Sequence, residues 1–177
     1  MIQVFRRAGY EISRSFDGST LHLEFAIDPT EALTNVRNSR EAAAEARSLA
    51  RVLNPGSVAV IGASDQVGKI GHTVMRNLIG NGFAGPVYPV NSDATSVQSV
   101  RAYASVRHIP DPVDLAVVAV PAASMSEVLD DCLSKGVSTL VVISAGFSDV
   151  GSAGVVSERR LVSEARAHGM RVVGPNA

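Results

Sequence analysis

The amino-acid sequence predicts an α/β fold in which a parallel sheet of about five strands is covered by helices on both faces. Three observations predict it. Short, uninterrupted apolar runs recur from Ser57 onward, helical segments closed by glycine separate them, and the runs lead into loops of small residues. Across the 177 residues 46% are hydrophobic but only 5% aromatic, with no tryptophan, so Val and Ala must supply much of the core. That composition suits buried parallel strands with closely packed helices.

The first 27 residues follow a different pattern. Phe16-Asp17-Gly18-Ser19 reads as a turn between Glu11-Ile12-Ser13-Arg14 and Leu21-His22-Leu23-Glu24-Phe25. Leu21, Leu23, Phe25 and Ile27 alternate with mostly polar partners, giving an N-terminal β-hairpin at residues 1–28. A lone hairpin is marginal in water, so this segment predicts a neighbouring domain. Asp28-Pro29-Thr30 breaks the strand, and residues 29–53 read as a linker helix rich in Ala, Glu and Arg. Leu33, Val36, Ala43, Ala46, Leu49 and Ala50 recur at helical spacing, with Asn35, Asn38 and Ser39 weakening the middle. Asn54-Pro55-Gly56 ends it.

Residues 54–177 carry the regular pattern. Ser57-Val58-Ala59-Val60-Ile61-Gly62 is the first strand, followed by a helix with Val74, Leu78 and Ile79 on its apolar side and Gly80-Asn81-Gly82 as its stop. Val87-Tyr88-Pro89-Val90 is the second strand, with Pro89 marking an edge. Leu115 to Val120 is the third, stopped by Pro121, and Ser124 to Lys135 is a helix closed by Gly136. Val137 to Ile143 is the fourth strand, Ser157 to His168 a helix stopped by Gly169, and Met170 to Val173 the fifth strand. Strand and helix in alternation mean βαβ crossovers, hence a Rossmann-type doubly wound sheet. Ligands in such sheets sit beyond the carboxyl ends of the strands. Those ends are Gly62-Ala63-Ser64, Val90-Asn91, Val120-Pro121, Ser144-Ala145-Gly146 and Gly174-Pro175-Asn176.

Gly62-Ala63-Ser64-Asp65-Gln66-Val67-Gly68-Lys69-Ile70-Gly71 joins the first strand to its helix. Free N–H groups at a helix start attract anions, small residues let a phosphate approach, and Lys69 adds a charge. The same glycines also suit a tight turn with no ligand. Two specific phosphate motifs are excluded. A P-loop needs four residues between its glycines and Ser or Thr after the lysine, whereas here five intervene and Ile70 follows. The G-x-G-x-x-G fingerprint needs glycine where Ser64 stands and an acid at the second strand's end, where Asn91 stands. NAD(P) is therefore the weaker candidate.

Net charge is −1 with scattered basic residues, which argues against nucleic acid. Cys132 is the only cysteine, so no intrachain disulfide or thiolate cluster forms, and it reads as a core thiol. His22, His72, His108 and His168 stand without an obvious carboxylate or second histidine nearby, so no metal site or catalytic residue is expected. No apolar stretch is long enough to span a bilayer and the N-terminus shows no signal peptide, so the expected location is cytoplasmic.

The ordered series Ser57-Val-Ala-Val-Ile-Gly-Ala-Ser64, Gly68-Lys-Ile-Gly71, Arg76-Asn-Leu78, Val87-Tyr-Pro-Val-Asn91, Val113 to Ala122, Ile143-Ser-Ala-Gly-Phe147 and Gly174-Pro-Asn176 resembles one family. It is similar to the CoA-binding domain of NDP-forming acyl-CoA synthetases, relatives of the succinyl-CoA synthetase α subunit. The resemblance implies coenzyme A or acyl-CoA as ligand. It implies that Ser64, Asp65, Gln66, Val67, Gly68 and Lys69 contact phosphates, and that Ile143, Ser144 and Ala145 lie against the ligand with Val120 and Pro121 close by. Gly62, Ala63 and Asn91 complete the expected site. Where the family usually has Pro and then a phosphate-holding Lys after the second strand, Ser92 and Asp93 stand, and Ser99 replaces a frequent Gly.

The family passes a phosphoryl group through a histidine in a following domain, and none of the four histidines matches it. With the ATP-grasp part also lacking, the chain is expected to bind CoA and to leave catalysis to other domains. Met1-Ile-Gln-Val-Phe5, Gly9-Tyr10 and the hairpin to Phe25 resemble the C-terminal end of a GNAT acetyltransferase domain, as in proteins that fuse the two. The expected partners are thus a CoA thioester, the missing synthetase or acetyltransferase domains, and, from the exposed hairpin, a second copy of the chain. The alternatives are an NAD(P)-binding oxidoreductase domain and a degenerate structural or dimerisation domain.

Overall fold

The computed structural model describes residues 12–25 and 31–175 together with Gln3 and Tyr10. The chain divides into two compact units, Met1–Leu49 and Ala50–Ala177.

In the first unit, β1 (Ile12–Asp17) and β2 (Thr20–Phe25) form an antiparallel hairpin. Its turn is tighter than expected, Gly18-Ser19 alone, with Asp17 paired to Thr20. Gly18 takes φ +60°, which the first position of a primed two-residue turn requires and which matches the twist of the strands. Phe16 faces Leu21 across the ladder, with Leu23 on the same side. This apolar face is open: Phe16 is 76% exposed. The expected contributions of Glu11, Ile27 and most of Met1 to Gly9 lie outside the described residues.

Helix α1 (Glu31–Leu53) forms within the stretch 29–53 that reads as helical and runs unbroken through Asn35, Asn38 and Ser39. The local reason is visible at two side chains. Ser39 Oγ donates to the Val36 carbonyl at 2.9 Å, and Arg37 reaches Glu41 one turn on at 3.0 Å.

The second unit holds a five-stranded parallel sheet with β3 (Val58–Ile61), β4 (Val87–Val90), β7 (Leu115–Val118), β8 (Thr139–Val142) and β9 (Arg171–Val173) in the order β4-β3-β7-β8-β9. The predicted strands are all present; β4 keeps its predicted bounds and the other four are trimmed at one or both ends. Helix α2 (Ile70–Gly80) follows β3, α3 (Met125–Lys135) follows β7, and α4 (Ser152–Ala167) follows β8.

Alternate residues of each strand serve opposite layers. Val58 and Val60 of β3, with Leu115 and Val117 of β7, pack with Met75 of α2. Ala59, Ile61, Ala116 and Val118 belong to the other layer with Leu129 and Cys132 of α3 and Leu161 and Ala165 of α4. A strand buried on both sides reads as a continuous apolar run, which is why β3 and β7 were legible without any alternation.

The structure differs from expectation at three places. Ile79 is 47% exposed, so the buried side of α2 is carried by Met75, with Val74 and Leu78 packed against the same layer. Helix α4 begins at Ser152 and not Ser157, because Gly154, which reads as a loop residue, is needed where the helix starts. A Cβ on Gly154 would lie 1.7 Å from the Phe147 carbonyl oxygen. A small antiparallel ribbon, β5 (Ser96–Val97) with β6 (Val100–Arg101), and a 3-10 turn at Val106–His108 fill the connection after β4 and have no strong sequence signal.

Gly136 and Gly169 close α3 and α4 as predicted. Each is left-handed, at φ +79° and +74°, and the amides after the helices return to carbonyls in the last turn. Cys132 is fully buried, and burial, with Asp131 nearby adding to it, pushes its thiol up to about 12.

Candidate functional site

The sheet order reverses direction between β3 and β7: the chain moves outward from β3 to β4, then returns to the other side of β3 for β7. In a doubly wound sheet this switch point opens a crevice at the carboxyl ends of the strands. Gly62 stands at its bottom with φ +87°. A Cβ there would lie 2.5 Å from the Ala119 carbonyl oxygen and 2.9 Å from Val120 Cγ1, so only glycine lets the two strand ends approach this closely. Ala119 N–H donates to the Ile61 carbonyl at 2.8 Å, and the Gly62 and Ala63 amides both donate to Val90. The ends of β3, β4 and β7 are thereby locked together.

From Gly62 the glycine loop rises to the start of α2. Gly71 sets its depth, because a Cβ at this position would lie 1.9 Å from the Gly62 carbonyl oxygen. Ser64 Oγ accepts the Gln66 amide at 3.1 Å, and the Lys69 amide donates to Gln66. The amides of Ser64, Asp65, Val67 and Gly68 find no acceptor among the described residues. Lys69 forms no ion pair among them either. Exposed unpaired N–H donors, a lysine and the positive end of an 11-residue helix make an anion-accepting surface.

Asp65 has a different task. Its Oδ1 accepts the Gln98 amide at 2.7 Å, and Gln98 Nε2 in turn donates to the His72 carbonyl at 3.0 Å. The clasp fastens the β5–β6 turn, whose Gln98 and Ser99 hold positive φ, to the glycine loop. Asn91 is likewise committed to structure. Its Nδ2 donates to the Ala63 carbonyl at 2.8 Å and its Oδ1 accepts the Asp93 and Ala94 amides. Both residues shape the site through its backbone.

Beyond the strand ends lies a cleft of about 280 Å³. Of the expected site residues it gathers Gly62, Asn91 and Val120. The exposed stretch from Asp65 to Lys69 and the half-buried Ser64 belong to the rim at the α2 start and not to the cleft wall. Ala63 is buried against the α2 layer. Pro121 is exposed where a 3-10 turn, Ala122–Ser124, begins. Ile143, Ser144 and Ala145 lie one strand further along, at the end of β8. Ser144 is buried, its Oγ turned back to the Val118 carbonyl at 3.4 Å, while Ala145 is exposed.

The next loop is stiffened by Asp149, which accepts the Gly146 amide at 3.0 Å and the Phe147 amide at 2.6 Å. Those N–H bonds, Gly146 first, hold the Asp149 carboxyl below its ordinary range.

Of the remaining cleft wall, only Ser92 and Asp93 were singled out in the sequence, as departures where the resemblance implies a phosphate-holding Pro-Lys pair. This wall is built by Ser92 and Asp93 after β4, by Ala104 to Val106, and by Glu127, Val128 and Asp131 of α3. Asp131 is paired to Arg107 at 2.7 Å and accepts Ser105 Oγ at 2.6 Å, while Arg107 also reaches Ser134 at 3.0 Å. The signal for Glu127 and Asp131 in the sequence was only their i, i+4 spacing near the start of a helix that follows a strand. Among the described residues no group of three His, Cys, Asp or Glu is placed to hold a metal ion, and no helix is long and apolar enough to cross a membrane.

Known proteins are similar to this chain in sequence and fold. The α subunit of an ADP-forming acetate–CoA ligase I from Pyrococcus furiosus is 47% identical over 133 residues, 73% of this chain and 29% of that protein. An ADP-forming acetate–CoA ligase II from Archaeoglobus fulgidus is 48% identical over 122 residues, 69% of this chain and 18% of that protein. A dinucleotide-forming acetyl-coenzyme A synthetase 1 from Ca. Korarchaeum cryptofilum, solved with phosphate and ADP, superposes with a TM-score of 0.69 at 44% identity, covering 72% of this chain and 27% of its own. The chain thus spans less than a third of the length of these relatives. The CoA binding domain family matches residues 56–177, from the approach to β3 through all five strands, and the chain belongs to that family.

Proposed function

We propose that residues 54–177 are a coenzyme A or acyl-CoA binding module within a larger acyl-CoA synthetase-like or acetyltransferase-fused protein. The observation that carries the reading is a coincidence of place. The unpaired amides of the glycine loop and Lys69 stand at the switch point of a fold whose family is defined by CoA binding. Phosphates of the ligand rest on Ser64, Gln66, Val67, Gly68 and Lys69, with Gly62 and Val120 beneath them. Asp65, Ala63 and Asn91 hold the loop in shape, and Pro121 and Ile143 to Ala145 form the far rim along which the thiol-bearing arm extends.

The chain's own residues bind and orient; acyl transfer requires the phosphohistidine and ATP-grasp domains that the resemblance places elsewhere. On the same reading residues 1–28 are the end of an acetyltransferase domain, residues 29–53 are its connector, and the protein works in the cytoplasm. The exposed face of the hairpin, with Phe16 76% open, supports a partner surface there.

Calorimetric titration of the purified chain with CoA, acetyl-CoA and NADH at low salt tests the proposal. Saturable binding of CoA or acetyl-CoA without NADH supports it. Absence of any interaction with CoA or acetyl-CoA at millimolar concentration refutes it and leaves a structural or dimerisation domain. Saturable binding of NADH alone would transfer the site to a nicotinamide cofactor.

A further inference from the structure

The cleft at the ends of β3, β4 and β7 carries charge of one sign. Asp93 follows β4 and Glu127 stands in the first turn of α3, and both line it. Neither carboxylate has a hydrogen-bond or ion-pair partner among the described residues. The third acid, Asp131, already has Arg107 and Ser105. None of the residues lining the cleft is a lysine or arginine. The nearby cation of the site, Lys69, belongs to the glycine loop.

A ligand that spans both regions therefore meets two opposite demands. Its diphosphate is accepted at the loop, where amide donors are unpaired. Whatever lies in the cleft must not be anionic, because unpaired carboxylates repel it, and should carry hydrogen-bond donors, because ionised carboxylates only accept. A nucleoside offers both properties through its ribose hydroxyls and its exocyclic amine. In doubly wound folds, an acid just past the second strand accepts from ribose hydroxyls and disfavours a phosphate on the same sugar. Asp93 stands three residues past β4, the second strand of this sheet in chain order. It is held there by its own amide on Asn91 Oδ1 at 2.8 Å.

We infer that Asp93, with Glu127 across the cleft, selects an adenosine diphosphate group whose ribose hydroxyls are free. The module therefore binds dephospho-CoA more tightly than CoA, whose ribose carries a 3′-phosphate. The inference rests on the reading that the ligand's diphosphate lies on the glycine loop. Asp93 is a specificity residue and not a catalytic one.

Calorimetric titrations of the intact chain with dephospho-CoA and with CoA, at low and moderate salt, test it in the wild type, Asp93→Asn and Glu127→Gln. Both positions are exposed, so folding should survive, and circular dichroism checks that it does. The wild type should favour dephospho-CoA by about tenfold or more. The ratio should shrink at higher salt, as screened repulsion must. Asp93→Asn should bring it toward one by strengthening CoA. Equal or tighter binding of CoA by the wild type overturns the inference and leaves the binding module intact. A preference untouched by Asp93→Asn overturns the assignment to Asp93. If neither ligand binds any of the three proteins, the module reading falls and this inference with it.

Discussion

Replacing Gly71 by alanine adds one methyl group at the point where α2 leans on the glycine loop. That carbon would lie 1.9 Å from the Gly62 carbonyl oxygen and 3.1 Å from Ala63 Cα. Both neighbours are backbone, so no side chain can swing aside. Non-bonded heavy atoms settle at about 3.5 Å, so the helix start or the loop must retreat by about 1.5 Å. Overpacking of this kind costs about 1–3 kcal/mol, and alanine's better helix propensity returns at most about 1 kcal/mol. The net loss of about 1–2 kcal/mol lowers the melting temperature by roughly 3–8 °C for a domain of this size. The same displacement moves the Val67 and Gly68 amides off the phosphate position, so CoA affinity should fall at least about tenfold. Thermal melts by circular dichroism and calorimetric titration read the two effects. Gly80→Ala at the end of the same helix, where a Cβ meets nothing within 4 Å, serves as the control and should be neutral or stabilising. An unchanged or higher melting temperature in Gly71→Ala, with CoA affinity intact, would refute the packing argument.

Gly68 differs from Gly71: its surroundings are empty but its φ is +92°, so Gly68→Val should cost about 1–3 kcal/mol in backbone strain, leave a folded domain by circular dichroism, and abolish CoA binding. Binding that falls only in proportion to lost folding would make the glycine merely structural. Cys132, buried and pushed up to about 12, should resist an aromatic disulfide reagent at pH 8 until the chain is unfolded, and stoichiometric labelling of the folded protein would contradict its burial. Asp149 holds a pKa below its ordinary 3.8, so its contribution to stability is present above that value and is lost as pH falls through the depressed one. Asp149→Asn should therefore melt lower than wild type at neutral pH, the gap closing in acid below pH 3.8; a gap independent of pH would mean the charge is irrelevant.

Strands and helices that bury apolar surface were legible because burial leaves a compositional trace. Val58 to Ile61 and Leu115 to Val118 must be apolar at every position, since both faces are covered. Gly136 and Gly169 were equally plain, because a helix end in the left-handed region selects glycine. What failed was anything set by contact between distant segments. Gly154 looks like a loop residue until the Phe147 carbonyl is placed against it, and then it is the reason α4 can start where it does. Ile79 has the spacing of a core residue, yet α2 presents Met75 to the sheet and leaves Ile79 at the surface.

The site divides along the same line. The glycine loop was readable because anion binding by backbone amides demands small residues in one contiguous stretch. The cleft was readable only in part, at the strand ends Gly62, Asn91 and Val120, because the rest of its wall comes from three separate segments, after β4, around residues 104–106 and on α3, and no local pattern links them. Asn91 shows how the two kinds of information correct each other. Sequence comparison with a dinucleotide fingerprint treats position 91 as the place for an acid and counts asparagine as a loss. In the structure Asn91 binds the Ala63 carbonyl and turns the chain so that Asp93 reaches the cleft. An acid is therefore present beyond the second strand, displaced by two residues and aimed by the amide that seemed to replace it. A substitution at Asn91 should consequently disturb the glycine loop and the cleft together, whereas one at Asp93 should change the cleft's charge and leave the loop in place.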